Sequence, residues 1–218
     1  MSAVTPQRQG TIALALSEKC VALLLERGTV KGVSSIDLAH AAGISLRTFH
    51  RYLGGKEDCV RPVLYAAIAA MGRALTARPA SEPLNTALGA AFAAAASGQQ
   101  LERTLRLIPL LTETPAMRAV WAQSLHDGET ALTPCIAERM GLAPAQYPRA
   151  AVLATVVLAL VRRALVDAVA TGTDPAPVFD EYLTTLDGGP LAAVTPPAAS
   201  APPAAAAPPP AAVEEYDI

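Results

Sequence analysis

Apolar residues recur at three- and four-residue steps along most of the chain, the stripe expected of amphipathic helices. Ile12, Leu16, Cys20, Leu23 and Leu24 predict a first helix from Thr11 to Arg27, ended by Gly28. A short second helix follows over Ile36 to Ala42, with Ser34 or Ser35 available as its cap and Gly43 as its breaker. Ser45 caps a third, Leu46 to Tyr52, which Gly54-Gly55 stops. A fourth is expected from near Lys56 to about Thr76, with Val60, Leu64, Ile68, Met71 and Leu75 on one side and a kink at Pro62. Beyond Pro79 the same periodicity predicts helices over Glu82–Ala96, Gln100–Leu111, Ala116–Met140, Ala145–Thr171 and Pro175–Leu186, the third of these split by Gly128 and Pro134.

No stretch alternates with period two, so no sheet is expected. Thr155-Val156-Val157 favours strand locally but sits inside a long helical pattern, where context overrides propensity. The fold class is therefore all-α: an N-terminal three-helix headpiece over residues 1–60, joined through the fourth helix to a larger helical domain over residues 61–187. Residues 188–218 differ in kind. Between Pro190 and Ala212 stand eight prolines and eleven alanines among 23 residues. Such a segment buries too little surface to offset its ordering entropy, and a mobile tail is expected there.

Three cysteines, odd in number and far apart, argue against a disulfide scaffold and fit a reducing cytoplasm. The longest uncharged apolar run, Ala150 to Val161, has twelve residues, short of the roughly 18 a membrane span needs. No secretory leader is visible. Charge changes the picture more. Residues 1–75 carry nine basic and five acidic side chains, net +4, while the remainder carries eight and fourteen, net −6, for an overall −2. A basic N-terminal third on an acidic body suggests a headpiece that faces an anion.

The stretch from Ser34 to Tyr52 suits a helix-turn-helix. Leu38 and Phe49 face the core, Ala39 lets two helices cross closely, Gly43 takes the left-handed turn, and Ile44 buries beneath it. With Phe49 inward, Leu46, Arg47, Thr48, His50, Arg51 and Tyr52 spread over the outer surface behind the Ser45 cap. Arg47 can pair with guanine, Thr48 can reach a phosphate or a thymine methyl, and His50 can meet a base edge. Tyr52 and Lys56 lie where a phosphate would approach the fourth helix.

Residues 11–64 resemble the DNA-binding domain of the TetR/AcrR family of transcriptional regulators. The resemblance rests on Leu38-Ala39, Ala42-Gly43-Ile44-Ser45, Thr48-Phe49, Arg51-Tyr52 and Lys56-Glu57-Asp58. The chain departs from the family pattern at His50, Leu53 and Gly54-Gly55. The resemblance implies that Ser35, Ile36, Leu46, Arg47, Thr48, His50, Tyr52 and Lys56 face a double-stranded DNA operator. It also implies a C-terminal domain for dimerisation and ligand binding.

In that domain, Val152, Val156, Ala159, Leu160, Arg163, Val166 and Val169, with Phe179, Tyr182, Leu183 and Leu186, are candidates for a four-helix homodimer interface or for the protomer's own core. Polar and aromatic residues set among apolar helices are the ligand candidates: Arg103, Arg106, Trp121, His126 and Tyr147, and beside them Thr112, Gln123, Ser124, Asp127 and Arg162. They suggest an apolar effector with one polar handle. The chain has no G-x-S-x-G, H-E-x-x-H, glycine-rich phosphate loop or C-x-x-C. Its three histidines lack metal-ligand spacing. No enzyme, cofactor or metal is therefore expected. The sequence reads as a ligand-responsive repressor; a helical ligand-binding or scaffold protein that does not bind DNA is the alternative.

Overall fold

The computed structural model describes residues 6–186, so the Pro/Ala-rich segment lies outside the described residues. The described chain is helical, with no strand: α1 (Pro6–Arg27), α2 (Ser35–Ala42), α3 (Leu46–Leu53), α4 (Arg61–Thr76), α5 (Leu84–Ala95), α6 (Gly98–Glu113), α7 (Pro115–Arg139), α8 (Tyr147–Thr171) and α9 (Pro175–Thr185). Short 3-10 turns at Asp58–Val60 and Pro144–Gln146 lead into α4 and α8.

Local chemistry sets the headpiece. Ser34 caps α2 and forms a capping box with Asp37: the Asp37 amide donates to Ser34 Oγ (3.1 Å) and the Ser34 amide to Asp37 Oδ2 (2.8 Å). At its other end α2 closes through a Schellman motif. Gly43 takes φ 72°, its amide donates to the His40 carbonyl, and the Ile44 amide donates to the Ala39 carbonyl. Leu38, Phe49 and Leu53 then bury against Cys20, Val21 and Leu24 of α1, and Ile44 is half-buried at the turn.

The fourth helix begins later than its sequence pattern suggests. Asp58–Val60 forms a 3-10 turn and α4 starts at Arg61, so Pro62 occupies the first turn, where its missing amide needs no partner, and does not bend the helix. Nor is α7 divided at Gly128 and Pro134. It runs unbroken for 25 residues, and Gly128 stands where Ile68 of α4 crosses. Gly72 of α4 likewise faces Cys135 of α7. These two glycines let the helices pack closely. Helix α4 thus reaches from the headpiece core, at Val63, into the body core, at Ile68, Met71 and Leu75.

In the body, Phe179 and Leu183 of α9 fill the protomer's own core, with Phe179 against Phe92 of α5 at 4.5 Å between ring centroids. Both residues are therefore unavailable to a partner chain. The outer face of α8 keeps Val152, Ala159 and Arg163 exposed, with Val156 half-buried beside them. No described helix is long and apolar enough to cross a membrane.

Candidate nucleic-acid interface and internal cavity

Two buried anchors, Phe49 and Leu53, seat α3 on the headpiece; Thr48 is half-buried, and Tyr52, expected on the outer surface, is half-buried against the core, while Leu46, Arg47, His50 and Arg51 are exposed. Ser45 starts the helix by accepting the Thr48 amide at 3.2 Å, and the two hydroxyls lie 2.9 Å apart. That pairing gives both side chains a structural task and leaves Thr48 half-buried. Arg47, His50 and Arg51 occupy positions three and four apart, so they share one ridge of the helix. All three are exposed.

Each is held differently. Among the described residues the Arg47 guanidinium has no hydrogen-bond or ionic partner, so its forked donors are unengaged. The Arg51 guanidinium lies over the Tyr52 ring, 4.8 Å from its centroid, an arrangement that attracts a cation to the ring face. His50 Nδ1 sits 2.6 Å from the Gly54 carbonyl. A carbonyl only accepts, so Nδ1 is the donor in this contact, and Nε2 is the ring nitrogen left for another partner. In a major groove that nitrogen is placed to meet a base edge.

Flanking this ridge are two large exposed apolar side chains, Leu46 at the first turn of α3 and Ile36 (65% exposed) at the first turn of α2. Ser35 is half-buried beside Ile36, and Lys56 is half-buried in the loop before the 3-10 turn. Two acidic groups of the headpiece are engaged by near neighbours. Asp37 serves the α2 cap, and its hydrogen bonds with Ser34 hold its carboxyl below the usual range. Asp58 binds Arg61 at 2.7 Å.

A second feature lies in the body: a cavity of about 90 Å³ walled by α4, α5, α6, α7 and α8. Val63, Ile68, Met71, Phe92, Leu107 and Trp121 are among its walls, and no charged side chain lines it. Its polar lining is limited to Gln100, Thr104 and Ser124. Of the ligand candidates, Trp121 and Ser124 belong to this wall. The others do not. Arg103 pairs with Glu18 (3.6 Å), and Arg106 donates to the Leu25 carbonyl (3.3 Å). His126 is exposed beside Glu129, and Tyr147 is exposed at the start of α8. Gln123 and Tyr65 both donate to Asp127, which lowers the Asp127 pKa; Thr112 bonds the backbone of its own helix; and Arg162 is exposed. Gln100 and Thr104, absent from those candidates, face the cavity from the start of α6.

Helix α6 joins the two features. One face lines the cavity through Thr104, Leu107, Ile108 and Leu111. Its far end carries Glu113, which accepts from the Thr29 hydroxyl (2.5 Å) and the Val30 amide (2.7 Å) in the loop between α1 and α2. Those two donors hold the Glu113 carboxyl below its ordinary pKa. Among the described residues no group of three or more His, Cys, Asp or Glu side chains is placed to hold a metal ion. No protein-family model matches the chain, and no curated protein matches it.

Proposed function

We propose that the chain is a DNA-binding transcriptional regulator, a homodimeric repressor whose α3 helices read a palindromic operator and which a small, largely apolar effector releases. The observation that carries this reading is the ridge of α3, where Arg47, His50 and Arg51 stand exposed on a short helix anchored only by its inner face. An unpartnered guanidinium on a projecting helix suits a bidentate pair with guanine. The positive charge of the first 75 residues supports attraction to phosphates.

In a two-fold dimer the two α3 helices would enter major grooves one turn apart, about 34–36 Å. The outer face of α8, with Val152, Val156 and Ala159, is the apolar surface offered for that pairing. Release follows from linkage. An effector that binds better to a conformation with another headpiece spacing lowers DNA affinity by its differential affinity, typically ~1–3 kcal/mol. Helix α6 supplies a physical route, since ligand contacts on its cavity face and the Glu113 contact with the α1–α2 loop belong to one rigid element.

The test is fluorescence anisotropy with a labelled duplex recovered by selection from random-sequence DNA. Wild-type protein should bind it saturably, with affinity falling steeply as salt rises. Arg47→Ala should lose about 1–3 kcal/mol of preference for that duplex over unselected DNA, at unchanged thermal stability. The cavity favours a second reading, a helical ligand-binding protein with no affinity for DNA. Absence of binding at low salt would select it.

A further inference from the structure

The cavity wall restricts what the effector can be, and this inference rests on that cavity being the effector site of the regulator proposed above. No charged side chain lines the space. A carboxylate or ammonium buried there would lose its hydration with no counter-charge, so the occupant is neutral.

Polar chemistry then sets its functional group. Ser124 is fully buried, and its hydroxyl donates to the Val120 carbonyl at 2.8 Å. A serine hydroxyl has one proton and two lone pairs, so Ser124 Oγ keeps only acceptor capacity for anything in the cavity. Thr104 is placed in the same state, its proton directed to the Gln100 carbonyl at 2.8 Å. Gln100, at the partly exposed α5–α6 end, can donate as well as accept and so selects neither kind of ligand, whereas the two hydroxyls only accept and are satisfied by a ligand that donates. A ketone, ether or ester offers no proton to either; an alcohol does.

Shape narrows the choice. An engineered apolar cavity of about 150 Å³ holds benzene, whereas this one measures about 90 Å³. The smaller space encloses less than a ring system of that size requires, whereas an aliphatic chain can enter with one end only. Several lining residues keep some exposure, Leu64 and Ala67 of α4 as well as Ala96, Gln100 and Thr104 around the α5–α6 junction, so the space is not sealed and a chain longer than the cavity can protrude from it.

We infer that the cavity binds an uncharged medium-chain aliphatic alcohol, its hydroxyl donating to Ser124 Oγ among the apolar walls of α4–α8. Trp121, the single tryptophan of the chain, lines the same space and reports occupancy directly.

The experiment titrates the full chain, free of DNA, with 1-octanol, 2-octanone and octanoate, following Trp121 emission and heat of binding. 1-Octanol should bind saturably, 2-octanone roughly five- to tenfold more weakly for want of the donated hydrogen bond, and octanoate roughly a hundredfold more weakly or not at all. In Ser124→Ala the alcohol should lose its advantage over the ketone while the melting temperature stays within a few degrees of wild type. Equal affinities for alcohol and ketone in the wild type overturn the assignment to Ser124. Octanoate binding as well as octanol overturns the neutral class, and no binding by any of the three overturns the site. Because the readout needs no DNA, these failures are separate from a failure of the operator reading, which the anisotropy assay alone decides.

Discussion

Substituting alanine for glycine at the crossing of α4 and α7 gives a calculable result. An ideal Cβ on Gly128 would lie 2.5 Å from Ile68 Cδ1 and 3.2 Å from its Cγ2. Apolar carbons rest about 3.5–4.0 Å apart, so Ile68 must retreat by roughly 1 Å. Rotation of its terminal bond moves Cδ1 but leaves Cγ2 in place, so part of the overlap remains. Overpacking of this kind costs about 1–3 kcal/mol. Alanine in a helix interior offsets about 0.5–1 kcal/mol of that relative to glycine. Gly128→Ala should therefore lose about 1 kcal/mol, or roughly 2–4 °C in melting temperature for a chain of this size.

The same exchange at Gly72 is the internal control. There the new methyl would meet Cys135 Sγ at 3.3 Å and Leu132 Cδ1 at 3.9 Å. A shift of a few tenths of an ångström suffices, and the helical gain should leave Gly72→Ala within about 0.5 kcal/mol of wild type. Ile68 also lines the cavity, so its displaced methyl has space to enter there. Gly128→Ala should weaken 1-octanol binding and Gly72→Ala should not. Urea denaturation and calorimetry measure the first effect, Trp121 emission the second. A Gly128→Ala protein more stable than Gly72→Ala, with full ligand affinity, would refute the packing argument.

Further expectations concern the headpiece. Phe49→Ala, which removes a fully buried ring beneath α3, should lose about 3–5 kcal/mol in chemical denaturation, whereas Phe49→Leu should lose much less. Glu113 accepts two hydrogen bonds and its carboxyl titrates below its ordinary value. Its contribution is therefore complete above roughly pH 4.3 and is lost as pH falls through the lower, folded-state pKa. Glu113→Gln should be less stable than wild type at neutral pH, with the gap narrowing on acidification below that point. A gap that stays constant from pH 7 to pH 3 would show that the Thr29 and Val30 contacts contribute nothing through the charge.

How much of this was legible in the sequence depends on the range of the forces involved. The turn at Gly43 and the cap at Ser45 are local events, decided within about four residues, and both stand where the pattern put them. The choice between Ser34 and Ser35 needed the reciprocal bond with Asp37. The start of α4 was missed because Lys56 and Glu57 are good helix formers, yet Gly54 (φ 75°) and Gly55 let the chain turn before Asp58. Gly128 and Pro134 signal a break, but packing of α7 against α4 outweighs that signal.

Site residues divide the same way. The exposed ridge of α3 follows from Phe49 pointing inward, which the periodicity reveals. The cavity does not. Polarity among apolar neighbours drew attention to Arg103 and Arg106, but partners on α1, 81 and more residues away in sequence, claim them. The residues that give the cavity its character are ordinary core hydrophobes and three neutral polar groups, which no spacing rule distinguishes.

The length of α4 has a mechanical meaning. Sixteen helical residues make an arm of about 24 Å at 1.5 Å each. Pivoting such an arm by about 5° sweeps its tip through roughly 2 Å. In the proposed two-fold dimer the two sweeps would combine to about 4 Å, roughly a tenth of the groove-to-groove interval. In the regulator proposed above, a guest that nudged Ile68 and Met71 by less than the width of a methyl group would put the two headpieces out of step with the double helix.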